Sequence, residues 1–72
     1  MSNTISVKLQ SSPTELYKIL KFEGLVASGG EAKQVIADGL VTVNGETETR
    51  KRKKIVAGDT IQFNGENMEI ND

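Results

Sequence analysis

Arg50-Lys51-Arg52-Lys53-Lys54 puts five cations on five consecutive residues. The chemistry of such a run is attraction for a polyanion, above all a phosphate backbone. On an extended strand alternate side chains point to opposite faces. That spacing predicts Arg50, Arg52 and Lys54 on one face and Lys51 and Lys53 on the other, with the Arg50 set as the contact face. A small domain cannot bury five cations at acceptable cost, so the segment is expected as an edge strand or a protruding loop. Lysines also protect edge strands from aggregation, but one or two serve that purpose. A nuclear-localisation signal would have a similar composition, with nothing else in the chain pointing to it.

Ser28-Gly29-Gly30 is the second candidate. A glycine pair at a helix start exposes backbone N–H groups at the positive end of the helix dipole, where a phosphate can sit. The same glycines would equally serve a tight turn or close packing. Lys33 lies one turn further on and is placed either at that phosphate or in solvent. The carboxylates form no convincing acid/base pair or hard-metal cluster. Glu15 and Glu31 read as helix caps, and Asp59 as a turn residue bonded to its own backbone. Phe22 and Phe63 read as core, and Tyr17 as partly exposed. One tyrosine is no stacking platform.

The 72 residues include no cysteine and no histidine. A thiolate nucleophile, a Cys/His zinc site and a histidine general base are therefore all excluded. A chain of this length buries only roughly 60% of its unfolded surface and has little room for a catalytic cavity. No enzyme activity, cofactor, metal or small-molecule substrate is expected. The lack of cysteine suits the cytoplasm. Met1 to Gln10 has no signal-peptide pattern, and no apolar stretch is long enough to span a membrane. Nine basic residues face ten acidic ones. Outside the basic run four basic residues remain against ten acidic, a net of −6. The chain is thus acidic with one concentrated positive block, an asymmetry that points to a polyanionic partner.

The elements that must position these residues follow from periodicity. Ile5, Val7 and Leu9 alternate with polar residues, as in a half-buried strand. Ser12-Pro13-Thr14-Glu15 has the form of a capped helix start, and Leu16, Ile19 and Leu20 recur at helical spacing up to Gly24. Ser28 and Glu31 repeat the capping device before Ala32, Val35 and Ile36, with Gly39 as the stop. The period then changes to two. Leu40 to Val43 is a strand, Asn44-Gly45 a hairpin turn, and Thr47 to Val56 a possible returning strand. Thr60 to Phe63 and Met68 to Ile70 flank a second Asn-Gly turn. The expected fold is α+β, ordered β-α-α-β-β-β-β, with two short N-terminal helices packed on a small, mainly antiparallel sheet. It is read as a single domain over 1–72, with the core motif at about 12–62.

That order of parts resembles the RNA-binding domain of small-subunit ribosomal protein S-four, the alpha-L motif. The likeness rests on Leu16-Tyr17-Lys18-Ile19-Leu20, on Ser28, Ala32 and Lys33, on Gly39 through Gly45, and on Val56-Ala57-Gly58-Asp59-Thr60-Ile61. Leu20 to Gly24 and Glu48 to Gly58 also resemble the stand-alone bacterial YbcJ-like family. The resemblance implies non-catalytic RNA binding, with Ser28, Lys33, Thr42, Asn44 and the Arg50–Lys54 block as the surface. Most members of the broad family carry an arginine directly after the serine, where this chain has Gly29. Lys33, the amides of Gly29 and Gly30, or the basic block must then take over its phosphate contact. The implied partner is structured RNA, ribosomal RNA or tRNA among the options, bound by a monomer. Composition alone does not separate RNA from DNA. The competing expectation is a small protein-interaction or carrier module of ubiquitin-like type. The C-terminal Gly-Gly tail shared by such carriers is absent from Ile70-Asn71-Asp72.

Overall fold

The structure is a computed structural model that describes residues 3–9 and 13–71. Its strands are β1 (Asn3–Lys8), β2 (Thr14–Glu15), β3 (Val41–Val43), β4 (Glu46–Thr47), β5 (Lys54–Ile55), β6 (Thr60–Phe63) and β7 (Glu66–Asn71). The helices are α1 (Leu16–Phe22) and α2 (Gly29–Ala37). Five strands form one sheet in the order β1-β7-β6-β3-β4, while β2 and β5 pair separately. Every pair is antiparallel except β1 with β7. The α+β architecture agrees with the pattern of periods along the chain.

One sheet face carries the core. Val41, Val43, Ile61, Met68 and Ile70 alternate inward and are buried. Leu16, Ile19 and Leu20 of α1 and Ala32 and Ile36 of α2 close over them, and Ile55 is fully buried beside them. The opposite face is polar, with Thr42 donating to Gln62 Oε1 across the β3–β6 pair at 3.1 Å.

Both helices end in the same way. Gly24 and Gly39 have φ of 73° and 76°, the left-handed conformation that costs glycine nothing. Gly24 N–H bonds Lys21 O and Leu25 N–H bonds Leu20 O, both at 3.1 Å. Gly39 to Ile36 and Leu40 to Val35 repeat the pair at 3.0 and 3.1 Å. These are Schellman closures, and they make the helices short enough to cover the small sheet.

Three expectations need correction. Helix α1 starts at Leu16, after Pro13 and Thr14, and Glu15 at its N-cap makes no side-chain capping bond. Thr14 and Glu15 pair instead with Ile55 and Lys54, while Ser12 lies outside the described residues. Phe22 is not core but 74% exposed. The buried stripe runs through Leu16, Ile19 and Leu20, and Phe22 falls on the neighbouring stripe that faces outward. The strand expected from Thr47 to Val56 breaks after Thr47, and only Lys54 and Ile55 return to strand.

Candidate nucleic-acid interface

The basic run begins after β4 and is a turn rather than a continuous strand. Lys53 N–H bonds Arg50 O at 3.2 Å, and only Lys54 of the five cations lies in a strand. The reversal has two causes. Ile55 must reach the core, and its strand pairs with β2 rather than β4. The loop's carbonyls then find donors at the start of α1: Leu16 N–H bonds Lys53 O at 2.9 Å and Tyr17 N–H bonds Lys51 O at 3.2 Å. These two bonds satisfy orphan donors of the helix N-terminus and fix the loop to it. The expected strict alternation of the Arg50 and Lys51 sets is therefore lost.

The turn faces one side of α2. Gly30, Lys33, Gln34 and Ala37 recur at helical spacing and form one wall of an open groove of about 560 Å³, and Thr49 to Arg52 form the other. The fold thus brings Gly30 and Lys33 together with Arg50, Lys51 and Arg52, which are distant in sequence. Ser28 lies at the helix start, where its Oγ accepts the Glu31 N–H at 3.1 Å. Glu31 Oε1 in turn accepts the Ala27 N–H at 2.6 Å. This is the expected capping box, shifted by one residue on its return bond. Gly29 packs beside the Tyr17 ring.

Two carboxylates organise the cations. Glu48 accepts from Arg50 Nε at 3.0 Å, Arg50 Nη2 at 3.3 Å and the Arg50 backbone N–H at 3.0 Å. The Arg50 hydrogen bond holds the Glu48 carboxyl below its ordinary range, against the opposing effect of burial. The Arg50 guanidinium is raised in turn. Glu15 sits 3.3 Å from Lys18 and 3.9 Å from both Arg52 and Lys54. Burial pushes its carboxyl up, but Lys18, Lys54 and Arg52 together outweigh that and leave it lowered. Lys33 Nζ lies 4.9 Å from the centroid of the Tyr17 ring, a cation–π contact. Among the described residues no carboxylate lies within ion-pair distance of Lys33, Lys51 or Lys53.

Thr42 and Asn44 do not line this groove. Thr42 is on the sheet face away from the helices, bonded to Gln62. Asn44 spans two turns: its Nδ2 donates to Asp59 Oδ1 at 3.0 Å, and its Oδ1 accepts Thr60 N–H at 2.9 Å. Asp59 Oδ2 accepts Val56 N–H at 3.0 Å, the local turn bond expected of it. Sequence reasoning missed Gln34, Thr49 and the ion-pairing parts of Glu15 and Glu48. The Glu48 partnership had a signal, since Glu48 precedes Arg50 by two residues on extended chain. The packing of Tyr17 between Gly29 and Lys33 had none, because it depends on how two helices meet.

Among the described residues no cluster of acidic side chains could hold a metal, and no helix is long and apolar enough to cross a membrane. A family model described as S4 domain matches residues 7–71. "Putative RNA-binding protein YbcJ" of Escherichia coli (strain K12) is 52% identical over 56 residues, covering 78% of this chain and 80% of that protein. "Probable ribosome maturation protein RlbA" of Bacillus subtilis (strain 168) is 32% identical over 65 residues, covering 90% and 89%. The solution structure of E. coli YbcJ, described as an alpha-L motif involved in RNA binding, matches with a TM-score of 0.74 at 46% identity. That match covers 100% of this chain and 92% of YbcJ. The family and fold expected from the sequence motifs are borne out.

Proposed function

We propose, for a chain that belongs to the S4 domain family, that it is a non-catalytic RNA-binding domain that grips structured RNA at the groove between α2 and the basic turn. The observation that carries this reading is the convergence of Lys33 with Arg50, Lys51 and Arg52 on one groove, with no carboxylate among the described residues within ion-pair distance of Lys33 or Lys51. Unpaired cations on a shaped surface favour phosphate over any neutral ligand. The relative described as having an RNA-binding motif supports RNA over DNA. The proposed contacts are Ser28, Gly29, Gly30, Lys33 and Arg50 through Lys54. Ser28 keeps its hydroxyl proton for a phosphate oxygen, since its Oγ only accepts within the cap. Asn44 is assigned to holding its hairpin against the Asp59 turn, and Thr42 to the flank. A monomeric domain working in the cytoplasm, on ribosomal RNA or tRNA, completes the proposal.

The test is the salt dependence of binding to a hairpin RNA. About four or five neutralised phosphates give a log–log slope near −4. Lys33→Ala and Lys51→Ala are each expected to reduce the magnitude of that slope by about 0.9. Replacing Arg50, Arg52 and Lys54 together should flatten it further. A slope indifferent to all of these substitutions would remove the groove as the RNA surface.

A further inference from the structure

A second groove, of about 590 Å³, lies between β1 and α1. Its apolar lining includes Val7, Leu9, Ile19 and Phe22. Phe22 is one of only three aromatic residues in the chain, and it is 74% exposed. Nothing in the packing of α1 calls for a phenylalanine there, because the core stripe is already filled by Leu16, Ile19 and Leu20.

The groove is continuous with the basic face. Lys18 and Lys54 line it, joined by Lys8, and Glu15 connects Lys18, Arg52 and Lys54. Lys18 and Phe22 are four residues apart on α1, hence neighbours at about 5–6 Å on the helix surface. An RNA strand whose phosphates meet Lys18 and Lys54 therefore reaches Phe22 with its next nucleotide. Glu15 and Glu23 also line the groove, leaving three lysines against two carboxylates. A protein partner is the poorer match, since lysine is depleted in protein–protein interfaces. A nucleobase suits both parts of the site, with a flat face for an exposed ring and a phosphate for the flanking lysines.

We propose that Phe22 and this groove receive an unpaired base of the same RNA whose backbone lies on the basic turn, so that the preferred ligand is a helix with an unpaired nucleotide beside it. This rests on the RNA-binding reading above.

The chain has no tryptophan, so Phe22→Trp, at an exposed position, installs a single fluorescent reporter. Two RNA duplexes annealed from separate strands are compared, one blunt at both ends and one with two unpaired nucleotides at an end, and total binding is followed by anisotropy of a dye on the RNA. The overhang duplex is expected to change the tryptophan emission and the blunt one not. Phe22→Ala is expected to weaken binding of the overhang duplex about tenfold, within the range for one stacked base, and Phe22→Tyr to restore it. Binding seen by anisotropy without any change in the emission of the Phe22→Trp variant overturns the base site and leaves the RNA-binding reading standing. An emission shift that follows protein concentration without RNA assigns the groove to a second copy and also overturns it. No anisotropy change with either RNA defeats both readings.

Discussion

Gly29 stands where the resemblance to the S-four-type domain implies an arginine, and the geometry around it tells what an arginine there would do. A Cβ built at Gly29 comes no closer than 4.0 Å to the Tyr17 ring, an ordinary van der Waals contact, and its backbone lies outside the left-handed region. Glycine is thus permitted but not demanded. Gly29→Arg is expected to fold, with its gain in helix propensity offset by a cation at the positive end of the α2 dipole, and to steepen the salt slope of RNA binding by about 0.9. Thermal unfolding and a salt titration read the two effects separately. Binding stronger than wild type, with an unchanged slope, would mean that the new guanidinium does not meet a phosphate.

At the scale of elements, the basic turn owes its place to its anchors. Ile55 is fully buried, and the carbonyls of Lys51 and Lys53 take the first N–H groups of α1. Ile55→Ala removes the buried anchor and is expected to cost about 2–5 kcal/mol. Against the few kcal/mol that a domain this small commands, that loss brings it close to unfolding. In native-state hydrogen exchange the Leu16 and Tyr17 amides should lose protection first, because their acceptors are in the loosened loop. Equal loss throughout the chain would show that turn and helix have no separate linkage. The elements themselves were largely legible. Ser28 and Glu31 announced α2, and Gly24 and Gly39 announced both helix ends, because caps act over three or four residues. The start of α1 was misplaced because its partners are the carbonyls of Lys51 and Lys53, far along the chain, and no local pattern encodes them.

At the scale of the whole molecule, an acidic chain concentrates its positive charge on one side, and two glutamates hold that concentration in order. Glu15 and Glu48 have lowered carboxyls in the fold, so the folded state favours their ionised form. The stability they contribute is present above their ordinary value of about 4.5 and is lost as pH falls through the lower folded values. Acidification should therefore lower the melting temperature over that window. Glu15→Gln with Glu48→Gln should shrink the acid-dependent part of the loss. An undiminished acid transition in the double variant would place the responsible carboxylates elsewhere. The sequence by itself determined the α+β class, the two hairpin turns and the cationic run, since each depends on periodicity, turn chemistry or composition within a few residues. Only the tertiary structure decided that the run is a turn and not a strand, that Lys33 shares its groove, and that Phe22 faces outward. Those outcomes depend on how far-apart segments compete for the same small core and for the same backbone donors.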